Sequence, residues 1–375
     1  MNFDLSAEQT LLADSVARFV SDNYELEARQ KLAAGKTGYS DEHWQTFAEL
    51  GWLGLTLPEA AGGFGGNQID TLVLSEQFGR GLVTEPFWAT VVLGARAVAL
   101  GARPEVGTPI LERVVQGQCK LALAYAEEAA RFDLFFHTTE ARQGEDGSYV
   151  LNGHKSMVQN AGDADYLIVA ARTDGAPGER DGLTLFLVPG DAPGLKVAGF
   201  PTVDGLRAGE VDLENVTVPA DYVLGDAGAG AVLLETVAVD GILALAAEAV
   251  GAMEILYKDT VEYTQQREQF DHALSDFQVV KHRLVDMFME YEQSKSLLYR
   301  ATLEVAEQGL EARRTVHALK YYIGRAGIMI GENAVQLHGG MGVTEELRIG
   351  HYFKRLLVID AQFGNSDYHL AQFAA

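Results

Sequence analysis

Residues 336–346 read QLHGGMGVTEE, and they crowd Gly339, Gly340 and Gly342 into one short stretch between two segments of helical character. Glycine in or beside a helix costs roughly 0.5–1 kcal/mol relative to alanine, so three together need a reason in what the backbone approaches. The flanks supply the frame. Helical periodicity begins after GDAGAGA (225–231) and persists to about Ile359, with breaks near Asp271, Gly309 and Gly339. Long helices joined by short turns predict a bundle.

Upstream the pattern changes. From Lys120 onward, runs rich in branched and aromatic residues, among them LALAYA, YVLNGHKSMV, YLIVAAR, LTLFLV and EVDLENVTV, alternate with turn signals such as Glu145-Asp146-Gly147 and Pro193-Gly194. That spacing predicts an antiparallel sandwich or barrel. Before it, Ser6-Ala7-Glu8-Gln9 reads as a capping box, followed by Leu12, Val16, Phe19 and Val20 at helical spacing. Further helices are expected over about 41–50, 69–78, 86–100 and 108–116. The fold class is α+β: an N-terminal α-helical domain (1–118), a middle antiparallel β-domain (119–228) and a C-terminal four-helix bundle (229–375).

Composition narrows the function classes. A length of 375 residues suits two or three domains. The formal charge of −24, from 53 acidic against 29 basic residues, repels nucleic acid and anionic membranes. Individual arginines still act on a small anion at contact distance. The single cysteine, Cys119, excludes an internal disulfide and a cysteine metal cluster. No run of 18 or more uninterrupted apolar residues occurs, and MNFDLSAEQT lacks the features of a signal peptide, so a cytoplasmic protein is expected. The GGFGG at 62–66 lacks the preceding strand of a dinucleotide fingerprint, with Pro58 breaking the approach, and reads as a structural loop.

The stretch YTQQREQFDHALSDFQVVKHRLVDM (263–287) puts Arg267 and Phe270 at the end of one helix and Gln278 near the start of the next. A guanidinium, a ring and a carboxamide on one turn suit a pyrophosphate and its nucleoside. An ordinary helix–helix corner with solvated polar groups accounts for the same residues, and this segment alone leaves both open.

The α-β-α order, the R-x-x-F turn with its later Gln and the Q-x-x-G-G-x-G loop together resemble the acyl-CoA dehydrogenase family, and the resemblance covers nearly the whole chain. PEAAGGFGG, YVLNGHK and DGLRAGEVDLENVTVPADYVLGD fall in register with it. FDLSAEQTLLADSV, FGRGLVTEPFWATVVLG, AEAVGAMEILY and GHYFKRL bring the chain nearest to the pimeloyl-CoA dehydrogenase small-subunit group. The resemblance implies FAD as cofactor, with Arg267, Phe270, Gln278, Gln336, Gly339 and Gly340 holding its adenosine-pyrophosphate half across a subunit interface. A Cβ at the glycines would collide with that cofactor. His338 is expected to be a packing residue.

The chain also departs from the family. The reaction needs a carboxylate to take the α-proton of an acyl-CoA while the β-hydride goes to the flavin. Where most relatives place that Glu, before a Gly-Thr pair, this chain has Phe363 in DAQFGNSD, with Gly364 matching the glycine. The isovaleryl-CoA type places it on an earlier helix, and the matching position is Gly241, flanked by Val239 and Ile242 where substrate-binding residues are common. Asp240 is one residue off register and is the candidate base. The segment YAEEAARFD (125–133) keeps Glu127 of the family's flavin-binding pattern but not its Thr or Gly-Ser-Asp, and in KSMVQNA (155–161) Met157 and Gln159 replace a tryptophan and a threonine.

The resemblance with these losses implies a subunit of a hetero-oligomeric, FAD-dependent acyl-CoA dehydrogenase. Its expected partner is a paralogous catalytic chain in an α2β2 assembly, and its electron acceptor is electron-transfer flavoprotein. The expected substrate is a bulky acyl-CoA, such as a steroid side-chain or dicarboxylyl thioester. The alternatives are an autonomous homotetramer using Asp240 as base, or a flavin-free scaffold subunit.

Overall fold

The computed structural model describes residues 4–375. The chain runs through α1 (Ala7–Asn23), α2 (Leu26–Ala34), α3 (Asp41–Glu49) and α4 (Gln68–Gly81). A π-helix (Trp88–Ala95) then leads into α5 (Arg96–Gly101) and α6 (Pro104–Val115). Strands follow: β1 (Leu121–Ala124), β2 (Glu140–Gln143), β3 (Tyr149–Gln159), β4 (Tyr166–Arg172), β5 (Leu183–Pro189), β6 (Leu195–Pro201), β7 (Arg207–Val218) and β8 (Val223–Leu224). The last part is α7 (Gly230–Gln266), a hairpin of β9 (Glu268–Gln269) and β10 (His272–Ala273), then α8 (Gln278–Gln308), α9 (Arg313–His338), α10 (Arg348–Ala361) and α11 (Ser366–Ala374). The fold is that of three segments, helical, β and helical. The capping box of α1 is formed: the Ser6 hydroxyl accepts from the Gln9 amide at 3.1 Å and the Gln9 side chain accepts from the Ser6 amide at 3.0 Å.

By packing, the chain divides into two compact units, and the N-terminal helices are shared between them. The first unit holds the chain up to Lys31, Gln68–Val83 and Ile242–Ala375. Here α4 and α7 cross through two glycines. A Cβ on Gly79 would stand 1.9 Å from the Glu248 carbonyl oxygen, and one on Gly251 would stand 2.0 Å from that of Glu76. Only glycine permits that approach. Ion pairs seal the crossing: Arg80 reaches Glu76 at 2.9 Å and Glu254 at 2.5 Å, and Arg355 binds Glu248 at 2.6 Å. By length and composition α7 is apolar enough to span a membrane, yet 78% of its apolar window is buried within the molecule, as in a core helix.

The second unit holds Leu32–Asn67 and Thr84–Gly241. Its sheet runs β6-β7-β3-β2-β4-β5-β8, with β1 also on β4. The sheet departs from the purely antiparallel arrangement expected, because β1 and β2 both pair with β4 in parallel. Strands β1 and β4 are covered on both faces, which parallel pairing requires. Leu151, Leu167, Val169, Phe186, Val188, Val211 and Val216 fill the core against the sheet. The expected helix over 86–100 forms, but its first part is the π-helix. In the loop at 62–66, Gly63 serves the fold itself: a Cβ there would lie 2.2 Å from the Leu57 carbonyl oxygen.

Candidate functional site

The end of α7 carries the arginine turn. The Arg267 amide still donates to the Tyr263 carbonyl at 2.8 Å, and the Leu274 amide donates to the Arg267 carbonyl at 2.8 Å, closing the hairpin. Gln269 pairs with His272, so Phe270 and Asp271 form the turn, both in left-handed backbone at φ +56° and +62°. Such a turn normally selects Asn-Gly, and a phenylalanine held there is strained. Its ring is 86% exposed. Arg267 and Gln278 are exposed as well, Gln278 at the first position of α8.

The glycine loop lies at the same end of this unit. His338 stacks on Tyr263, one helical turn before Arg267, with centroids 4.3 Å apart, and its Nδ1 donates to the Ala334 carbonyl at 2.8 Å. Burial lowers its pKa, so it stays neutral. Arg283, early in α8, donates to Asn333 at 2.9 Å, one turn before Gln336 on α9. The three glycines then separate by role. A Cβ on Gly342 would stand 2.6 Å from the Val335 carbonyl oxygen, which internal packing explains. A Cβ on Gly339 or Gly340 would meet nothing within 4 Å, although Gly339 holds φ +61°. Those two leave bare backbone toward the outside of the chain. With an exposed guanidinium, ring and carboxamide beside them, they fit the adenosine-pyrophosphate half of FAD: charge for the pyrophosphate, a π-face for the base, and room for close approach.

The positions counted for a catalytic base are differently occupied. Phe363 is buried at φ +56°, and its carbonyl accepts from His369 Nε2 at 3.0 Å. Because that nitrogen donates, His369 Nδ1 accepts from His317 Nδ1 at 2.9 Å. Burial, with Lys320 and His317 nearby, pushes the His369 pKa down to about 3. No carboxylate stands at this position. On α7, Asp240 is buried and its Oδ2 accepts from Arg96 Nε at 2.8 Å, while the Trp88 indole donates to the Gly241 carbonyl at 3.0 Å. Sequence inspection gave no sign of that pairing, since Arg96 and Trp88 come from a distant segment.

In the β-domain, Glu127 is taken up by a buried cluster. Its carboxylate accepts from Lys155 Nζ at 2.6 Å, from the amides of Thr138 and Thr139 at 2.7 and 3.1 Å, and from both hydroxyls. Burial raises its pKa, but the bonds from His137, Lys155 and Thr138 outweigh that and hold it well below the carboxylate range. Burial takes Lys155 down to about 8. Met157, at φ +54° and 51% exposed, gives its amide to Glu210 at 3.3 Å.

Known proteins share this architecture throughout. Residues 6–118, 122–216 and 230–375 match the families described as the N-terminal, middle and C-terminal domains of acyl-CoA dehydrogenase. An L-prolyl-[peptidyl-carrier protein] dehydrogenase of Serratia sp. (strain ATCC 39006) is 28% identical, with 98% of this chain and 96% of that protein covered. A structure of the ChsE4-ChsE5 complex from Mycobacterium tuberculosis superposes with a TM-score of 0.90 at 26% identity, covering 100% of this chain and 98% of that one. The FAD complex of PigA gives a TM-score of 0.92 at 26% identity, with 100% and 98% covered. Domain order, glycine loop and arginine turn converge with these matches: the chain belongs to the acyl-CoA dehydrogenase family, FAD-dependent oxidoreductases acting on CH–CH bonds.

Proposed function

We propose that this chain is the non-catalytic subunit of a hetero-oligomeric acyl-CoA dehydrogenase, and that Arg267, Phe270, Gln278, Gln336, Gly339 and Gly340 hold the adenosine-pyrophosphate half of a neighbouring chain's FAD. One contrast carries the reading. The two glycines face open space beside an exposed arginine turn, while the base positions hold a buried phenylalanine and an arginine-clasped aspartate. A paralogous catalytic chain supplies the Glu that takes the α-proton of the acyl-CoA, in an α2β2 assembly. The flavin, when bound, takes the β-hydride, and electron-transfer flavoprotein receives the electrons. The occurrence of this fold in a ChsE4-ChsE5 complex supports a two-chain enzyme. A bulky acyl group and a cytoplasmic setting complete the proposal.

The test is to purify the chain alone and together with the product of an adjacent dehydrogenase gene. Flavin absorbance and acyl-CoA turnover are expected only in the combined preparation. Full flavin occupancy and turnover by the chain alone would overturn the reading.

A further inference from the structure

Within the first unit, a cavity of about 490 Å³ opens among α1, α2, the end of α4, α7 and α10. Its walls are held from inside the molecule. Helices α1 and α4 meet at Gly81, where a Cβ would stand 2.3 Å from Val20. The buried Arg29 donates from Nε to the Leu82 carbonyl at 2.9 Å, and the Tyr352 hydroxyl donates to the Arg80 carbonyl. Both thereby serve carbonyls at the C-terminus of α4. Arg80 lines the cavity too, but its three nitrogens are taken by Glu254, Gln77 and Glu76.

Two charged groups on the wall are left with something to give. Arg348 commits Nε and Nη2 to Asp259 at 2.5 and 2.6 Å, and no hydrogen bond among the described residues takes its Nη1. Glu25, just before α2, lines the same cavity, and no hydrogen bond or ion pair among the described residues takes its carboxylate. The two act on each other without touching. The bond to Asp259 raises the Arg348 pKa and the Glu25 charge adds to the rise, yet no ion pair joins Glu25 to Arg348. A guanidinium whose plane Asp259 has set and a free carboxylate, kept apart on one cavity, suit a ligand that carries both charges. A lone anion would be repelled by Glu25 and a lone cation by Arg348. A zwitterion has no net charge, so the −24 of the chain does not oppose it. The same walls carry Val20, Leu26, Ile255 and the Tyr24 ring, which offer apolar surface to the rest of the ligand.

We propose that this cavity binds a free α-amino acid with an apolar side chain, its carboxylate on Arg348 and its ammonium on Glu25. The site goes beyond the reading of the chain as a dehydrogenase subunit. Its test uses no flavin signal, so the two proposals fail separately.

Calorimetric titration of the full-length chain at neutral pH with L-leucine and L-phenylalanine tests it, with the N-acetyl derivative and the amide of each as controls. The first control lacks the ammonium and the second lacks the carboxylate. At least one of the two amino acids is expected to bind, and both of its derivatives to bind about tenfold or more weakly. Glu25→Gln is expected to lose the preference over the N-acetyl derivative and to keep the preference over the amide. Arg348→Gln/Asp259→Asn removes both charges of that pair and strands neither. It is expected to melt like wild type and to show the reverse pattern. Glu25 is exposed, so its exchange decides the assignment even if the double variant does not fold. If neither amino acid binds, if either derivative binds as well as its parent, or if Glu25→Gln keeps both preferences, the site is refuted.

Discussion

The Lys320 ammonium donates to the Gly364 carbonyl at 2.7 Å, and the same nitrogen donates to the Asp360 carbonyl at 2.8 Å. One buried cation therefore ties the end of α10 to the turn holding Phe363. Burial pushes the Lys320 pKa down from 10.5 to about 8. Between those values the unfolded chain keeps a proton that the folded chain has lost, so stability rises with pH through the window. The contribution is complete above 10.5 and is lost as pH falls through 8. A neutral amine still has two N–H groups for the two carbonyls. Urea unfolding at pH values near 7.5 and 9.5 is expected to show wild type gaining on Lys320→Met by about 1–2 kcal/mol. A gap that does not change with pH contradicts this.

Glu127 and Lys155 form a buried pair whose halves depend on one another. Glu127→Gln leaves the Lys155 ammonium without its counter-charge and is expected to cost about 3–5 kcal/mol. Glu127→Gln/Lys155→Met removes the stranded charge and is expected to recover most of that loss. Denaturant melts of both variants decide the matter, and additive losses would show the pair to be uncoupled.

Gly340→Val separates the fold from the cofactor. Within the chain a side chain there meets nothing, so stability of the isolated protein is expected to stay within about 0.5 kcal/mol. In the complex with the catalytic chain the same variant is expected to shed FAD through gel filtration. Arg267→Ala should do so too, by about 1.5–3 kcal/mol of lost charge-assisted binding, without altering how the partner binds acyl-CoA. Retention of flavin by both variants removes the half-site.

Asp240→Asn addresses the base directly. The complex is expected to keep most of its turnover, while the weakened bond to Arg96 costs about 1–2 kcal/mol of stability. General-base catalysis is worth about 10²–10⁴-fold. A loss on the order of a hundredfold, with the complex intact and FAD retained, makes this chain the catalytic one.

The elements legible in the sequence were those written in local spacing: the Ser6 cap, the helix boundaries near 41 and 68, and the break at Gly339. The parallel pairing of β1 with β4 was missed even though both read as unbroken apolar runs, because short apolar strands look alike whichever way their partners run. The π-helix was hidden for a similar reason. Its residues are all apolar or small, so no polar face marks the period. Of the candidate site, the arginine turn and the glycine loop were visible as spaced motifs. Arg96 with Asp240 and Lys320 with Gly364 were not, since each pair joins positions far apart in the chain and neither residue of a pair predicts the other.

The turn at Phe270 and Asp271 sets two demands against each other. Replacing them with Asn-Gly would relieve the left-handed strain and take an 86% exposed ring out of water, so the isolated chain would become more stable and more soluble. The same exchange removes the ring that the assembly is proposed to use. A library of this chain sorted for thermal stability in isolation would therefore enrich variants that have lost their docking peg.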